Sequence, residues 1–202
     1  LRLILNAMPY LYLFLGWMLF YSIHSYLAAL NIKRIIQGFM GSSYKWYRLV
    51  YSLVSTLGIL ALLFYSGTIP AYYLLAPTDG LQYIGYMLAT FGTIISVKSM
   101  KGISLMRFIG LAPHDDLEEK NELVLNGLYR WVRHPLYAGI LLIFLGYFFF
   151  LPTMASIVHL SALLVYLPVG IYFEEKKLIS LHGQAYISYQ KQVPPLIPTK
   201  RP

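Results

Sequence analysis

The chain has 202 residues, of which 58% are apolar and only 12% charged, about half the charged share of an average soluble domain. A soluble domain of this length cannot hide so much apolar surface, so lipid is its natural solvent and a single helical bundle its natural form. The chain has no cysteine, which excludes disulfides, thiolate metal sites and a cysteine nucleophile, while the net charge of +8 takes its meaning from where the charges sit.

In chain order, the first uncharged stretch runs from Leu3 to Ile32. It is too long and too plainly apolar for a signal peptide, and no small-residue cleavage site follows it, so it reads as a retained span. His24-Ser25 lies inside it. A histidine at membrane depth is a functional candidate by default, and a partner on a neighbouring helix is the plain alternative. Two further uncharged stretches, Leu49 to Thr78 and Leu81 to Val97, exceed or approach the ~20 residues needed to cross about 30 Å of hydrocarbon. These three spans make up an amino-terminal part, 1–97.

The remainder, 98–202, opens with a polar loop from Lys98 to Arg133. Its acidic run, Asp115-Asp116-Leu117-Glu118-Glu119, reads as a solvated loop. The loop closes on Gly127-Leu128-Tyr129-Arg130-Trp131-Val132-Arg133-His134-Pro135-Leu136-Tyr137-Ala138-Gly139. Pro135 suits the first position of a helix, where its missing N–H costs nothing. The amino terminus of that helix offers N–H donors and a positive dipole end to an anion, with Arg133 and His134 just before it. His134 and Tyr137 are close enough along the helix to cooperate, and Gly139 admits a ligand or another helix. A juxtamembrane anchor of Arg, Trp and Tyr is the plainer reading of the same residues.

The longest uncharged stretch, His134 to Phe173, would measure roughly 60 Å as one helix, twice the membrane. It must fold back, and Leu151-Pro152-Thr153 is the expected turn, giving a hairpin over 137–173. Its first arm is short, which places His134-Pro135 at or below headgroup depth, against protein. Glu174-Glu175 follows. Paired carboxylates at membrane depth call for a polar partner or a ligand, unless they simply begin the charged end of the helix with Lys176 and Lys177. In the tail, Gly183 is expected to end one helix and Val193-Pro194-Pro195 the next, with Tyr186 and Tyr189 on one face of the short helix between them.

Five spans place every basic residue except Arg2 on one side of the membrane. The positive-inside rule then puts the amino terminus outside and the carboxyl terminus in the cytoplasm. The basic excess becomes a topology signal and an attraction to anionic membrane lipid, not a nucleic-acid footprint. The expectation is an all-α polytopic membrane protein with about five transmembrane helices. Its polar machinery is cytoplasmic, and no metal-ligand spacing, nucleophile–base triad or phosphate loop stands in it. The absence of a eukaryotic sorting motif points to a bacterial inner membrane.

Gly-Leu-Tyr, then Arg-His-Pro-x-Tyr-x-Gly, a helical hairpin, Glu-Glu, Gly-x-x-Tyr-x-x-Tyr and Val-Pro occur here in order from about Asn121 to Pro198. As a set they resemble the isoprenylcysteine carboxyl methyltransferase and phospholipid methyltransferase superfamily. His24-Ser25, Lys33 and Tyr47-Arg48-x-x-Tyr51-Ser52 resemble its nurim-like branch, which includes methanethiol S-methyltransferases. The resemblance implies a membrane methyltransferase that holds S-adenosylmethionine in a cytoplasmic pocket. The implied cofactor contacts are Asn121, Glu122, Leu123, Val124, Tyr129, His134, Pro135, Leu136, Tyr137 and Glu174. Arg133 and Glu175 are the candidates to orient or deprotonate the acceptor, and His24 is the candidate on the substrate side. The acceptor is a small thiol or a lipophilic molecule. Where prenylcysteine methyltransferases carry a substrate-binding arginine, four residues before Glu174, this chain has Gly170, so an acceptor carboxylate loses its obvious counter-charge. Other readings stay open: a prenylcysteine carboxyl or phospholipid N-methyltransferase, a sterol reductase-like enzyme, and a non-catalytic nurim-like membrane protein.

Overall fold

The computed structural model describes residues 2–101, 104–115, 117 and 123–199, with side chains from Ala7 onward. The helices are α1 (Arg2–Ala28), α2 (Leu30–Met40), α3 (Tyr47–Thr68), α4 (Asp79–Ser99), α5 (Leu105–Ile109), α6 (Pro135–Phe150), α7 (Met154–His182) and α8 (Gln184–Gln192). Single 3-10 segments cover Gly41–Trp46 and Gly127–Arg130. No β-strand occurs among the described residues, so the all-α expectation holds.

Four helical stretches are long and apolar enough to cross a membrane: Ala7–Ala28, Leu30–Thr68, Asp79–Ser99 and Met154–His182. The fifth expected span is α6, apolar but only 16 residues long, about 24 Å at 1.5 Å per residue. The chain is therefore an integral membrane protein with four full-length helical stretches and one short apolar helix.

Packing divides the chain into two compact units, Leu1–Pro70 with Gly102–Asn121 and Ala71–Lys101 with Glu122–Pro202. In the first unit α1 packs on α3, and Leu13, Trp17, Tyr21, Tyr44 and Tyr47 are buried. The first helix is shorter than its uncharged stretch. It stops at Ala28 because Ala29 takes extended geometry, and a separate helix, α2, follows. Lys33 of α2 is buried while Ile35 and Phe39 are exposed. The second span likewise stops at Thr68, with Pro70 just beyond it.

In the second unit α4 and α6 run with their backbones almost touching. A Cβ built on Gly92 would lie 2.5 Å from the Gly139 carbonyl oxygen, and one on Gly85 would lie 2.7 Å from that of Gly146. Only glycine permits this approach, which is how small residues let membrane helices associate. Gly139 therefore serves a helix–helix contact. The turn at Leu151-Pro152-Thr153 is where the sequence places it. Thr153 caps α7 and exchanges hydrogen bonds with Ser156, whose hydroxyl also donates to the Leu151 carbonyl. The 71–78 loop pairs with this turn: Leu74 N–H donates to Pro152 O at 2.8 Å and Met154 N–H to Tyr72 O at 2.8 Å. α7 continues past Glu174-Glu175 to His182, since those charged residues are good helix formers and only Gly183, at φ 55°, ends it. α8 ends at Val193, as the Pro194-Pro195 pair requires.

Candidate functional site

Arg133, His134, Glu174, Glu175 and the tail all belong to the second unit. Pro135 opens α6 and His134 is its cap residue. The backbone N–H groups of Arg133 and His134 donate to the carbonyls of Pro194 and Pro195 at 2.9 and 3.0 Å. The tail is thus stapled to the start of α6 through main-chain groups. Side chains reinforce the staple. Arg133 Nη1 donates to the carbonyls of Gln190, at 2.9 Å, and Val193. Tyr189 Oη donates to the Tyr129 carbonyl at 2.6 Å, and Tyr129 Oη to that of Ser99 at 3.3 Å.

Glu175 is the hub. Its Oε1 accepts from Arg133 Nε at 2.7 Å and meets Arg133 Nη2 at 2.7 Å, a side-on guanidinium–carboxylate pair with both side chains nearly buried. His134 Nε2 lies 3.1 Å from the same oxygen, and Tyr186 Oη donates to it at 3.5 Å. Gln190 Nε2 donates to Oε2 at 2.6 Å. With this many donors around it, the carboxylate is an anchor for α6, α7 and α8 together. Glu174 differs. It is 42% exposed, 3.7 Å from His134 Nδ1, and keeps room for a further donor. The His134 ring is 4% exposed and stacks on Tyr137 at 5.6 Å between centroids.

The surrounding phenols are held neutral. Burial pushes the Tyr189 hydroxyl up to about 12. Burial and then the Glu175 carboxylate raise Tyr186 still further, and burial with Glu174 raises Tyr129. Each therefore stays a hydrogen-bond donor across the physiological range.

Beside this network is a cleft of about 450 Å³ between α6, α7 and the tail. Leu141, Leu164, Leu167, Pro168, Ile171 and Leu196 line it, and Arg133 is at its polar edge. Among the described residues no group of three or more His, Cys, Asp or Glu is placed to hold a metal ion.

The structure thus gathers Arg133, His134, Pro135, Leu136, Tyr137, Glu174 and Glu175, with Tyr129 tied to the tail. Leu123 and Val124 lie in the irregular stretch before the 3-10 turn, with Val124 exposed. Asn121 and Glu122 lie outside the described residues. His24 belongs to the first unit, where Tyr51 Oη lies 2.8 Å from Nε2 and Ser55 Oγ 3.0 Å from Nδ1. Gln190 was not among the expected site residues. A glutamine in a short polar helix carries no local mark of a carboxylate partner 15 positions earlier in the chain.

The family model described as NnrU protein matches residues 12–196, nearly the whole chain and both units. The chain belongs to the NnrU protein family. Individual members of the wider group agree with the resemblance read from the motifs. A methanethiol S-methyltransferase of Crocosphaera subtropica is 37% identical over 122 residues, 58% of this chain and 47% of that protein. One from Pseudomonas sp. (strain GM41(2012)) is 29% identical over 189 residues, 90% of this chain and 70% of that protein. The protein-S-isoprenylcysteine O-methyltransferase of Schizosaccharomyces pombe is 39% identical over 80 residues, 38% of this chain and 34% of that protein. This NnrU-family chain spans less than half the length of the Crocosphaera protein. No solved structure matches it.

The donor set could hold a ligand that carries both a carboxylate and an ammonium group. The α6 amino terminus supplies first-turn N–H groups and a positive dipole end for a carboxylate, and half-exposed Glu174 supplies an acceptor for an ammonium group.

Proposed function

We propose that this chain is an S-adenosylmethionine-dependent membrane methyltransferase acting on a thiol or another lipophilic nucleophile, with residues 98–202 as its catalytic core. The observation that carries the reading is the meeting of the α6 amino terminus with two unlike carboxylates, Glu174 half-exposed and Glu175 saturated, around a buried His134. The relatives whose names specify methyl transfer to methanethiol or to an isoprenylcysteine support it.

S-adenosylmethionine, when bound, supplies a methyl group already activated by its sulfonium, so the protein need only bind, orient and exclude water. Glu174 would hold the ammonium end and the first turn of α6 the carboxylate end, with Tyr137 and Tyr129 as further candidate contacts. Arg133 and Glu175 are positioning residues. Their ion pair fixes His134 from one side and the tail from the other, which sets where the acceptor sulfur or oxygen stops. The site faces the cytoplasm, with the amino terminus outside, because five spans put the basic residues other than Arg2 on that side, and the membrane is read as a bacterial inner membrane.

The test is binding of S-adenosylhomocysteine to the detergent-solubilised protein and to Glu174→Gln. The charge-assisted contact accounts for about 1.5–3 kcal/mol, so the variant should bind roughly 10- to 150-fold more weakly. Equal affinity in a folded Glu174→Gln protein would return Glu174 to the role of an ordinary charged helix end.

A further inference from the structure

The cleft beside Arg133 is far larger than the acceptor that gives several relatives their name. Its volume of about 450 Å³ is in the range of pockets that enclose a drug-sized molecule. Methanethiol has two heavy atoms and takes the room of two or three waters, on the order of 60–90 Å³ at ~30 Å³ each. The lining is aliphatic, from Leu141 on α6 to Leu196 in the tail, and Leu164 on its α7 wall is 49% exposed within an apolar membrane-length helix.

Among the described residues no free cation lines it for an acceptor carboxylate. Arg133 is the one basic residue on the lining, and its Nε and Nη2 are committed to Glu175 while Nη1 is committed to the Gln190 and Val193 carbonyls. Gly170 is buried under Tyr166, whose ring carbons would lie 3.0 Å from an added Cβ. A charged side chain at that position would have to displace the ring. Size and charge therefore agree on a long, uncharged molecule.

We infer that the cleft holds the hydrocarbon chain of an uncharged long-chain thiol drawn from the bilayer, and that such a thiol, not methanethiol or a prenylcysteine, is the preferred methyl acceptor. This rests on the methyltransferase reading above. In the reaction the thiol gives its proton to water, and the thiolate lone pair forms a new S–C bond to the donor's methyl carbon. The C–S bond of the sulfonium breaks with its electron pair returning to sulfur, leaving S-adenosylhomocysteine and an uncharged methyl thioether.

The experiment supplies the protein in nanodiscs with S-adenosylmethionine and a series of n-alkanethiols from methanethiol to dodecanethiol, and follows S-adenosylhomocysteine. Apparent kcat/KM should rise with chain length, by up to about fourfold per methylene. Part of that rise reports partitioning into lipid, so the deciding comparison is the slope of wild type against Leu164→Trp and Ile171→Trp, for which partitioning is identical. Both should flatten it. Leu164→Ala, which widens the cleft, should move the best chain length upward and stands in if a tryptophan variant fails to fold. A prenyl thiol should exceed the matching prenylcysteine by tenfold or more. Equal slopes in all variants, a wild type that prefers methanethiol, or a preference for prenylcysteine each overturn the inference. A wild type that binds no S-adenosylhomocysteine overturns the methyltransferase reading instead, and the acceptor with it.

Discussion

His24 and His134 are both histidines of a membrane protein, and their surroundings differ in kind. His24 is held by two hydroxyls, Tyr51 and Ser55, from one neighbouring helix, and stacks on Phe20 with centroids 5.5 Å apart. His134 stands between two carboxylates, and the groups that fix it come from the start of α6, the end of α7 and the tail. Hydroxyls make the direct contacts to the His24 ring, with the Arg48 guanidinium held one side chain away over the Tyr51 ring at 5.5 Å, and two crossing helices suffice to supply them. A nearly buried carboxylate and arginine carry a desolvation cost that helix association alone does not require. The first cluster is what helix packing explains by itself. The second is what a binding site needs.

The comparison breaks most sharply at Glu175. Glu175→Ala leaves Arg133 nearly buried without its carboxylate and should cost about 3–5 kcal/mol, read as thermal unfolding in detergent. The same variant should open the tail to trypsin at Lys191. A double variant, Arg133→Met with Glu175→Met, should lose less than the single one, because no orphaned charge remains. If the single variant unfolds like wild type, the hub is decorative and the contrast with His24 disappears.

The next effect lies in the α4–α6 seam. Gly92→Val presses a side chain against backbone and should cost about 1–3 kcal/mol or more, whereas Gly67→Ala in α3, with nothing within 4 Å of its Cβ, should stay within about 0.5 kcal/mol of wild type. Equal thermal stabilities would mean that the second unit is no more tightly specified than the first.

Alkali probes the tail. The Tyr189 hydroxyl is raised from 10.0 to about 12 in the folded protein, so its contribution is complete below pH 10 and is lost as pH rises through about 12. Phenolate absorbance and loss of tail helicity should therefore rise together between those values. Tyr189→Phe removes one hydrogen bond, about 1 kcal/mol, and should blunt the alkaline transition. The smallest effect belongs to the first unit. His24→Phe loses hydrogen bonds between helices and should cost only about 0.6 kcal/mol. A loss as large as that of Glu175→Ala would make His24 part of a site in its own right.

Punctuation residues made much of the fold legible. Pro135 at a helix start, the 151–153 turn, Gly183 and Val193-Pro194-Pro195 each restrict the backbone locally, so they mark boundaries in any context. The break at Ala29 carries no such mark, so the uncharged stretch to Ile32 takes in the first three residues of α2 and leaves the rest to the loop. The glycine seam was visible only in half, since Gly85 and Gly92 acquire meaning when Gly139 and Gly146 stand opposite. At the candidate site, the Arg133, His134 and Glu175 side chains were named from their chemistry. The carbonyls of Gln190, Val193, Pro194 and Pro195 were not, because a main-chain acceptor looks the same at every residue.

The staple also imposes an order on biogenesis. Arg133 takes one of its fixed partners from Val193, 60 positions further along the chain. At 5–20 residues per second, roughly three to twelve seconds of translation separate the two. Until the tail is made, Arg133 and His134 lack the Val193, Pro194 and Pro195 main-chain acceptors. A nascent chain arrested before residue 193 therefore lacks this staple, so completing the apolar helices and tying the tail to the start of α6 are separate events in the life of this molecule.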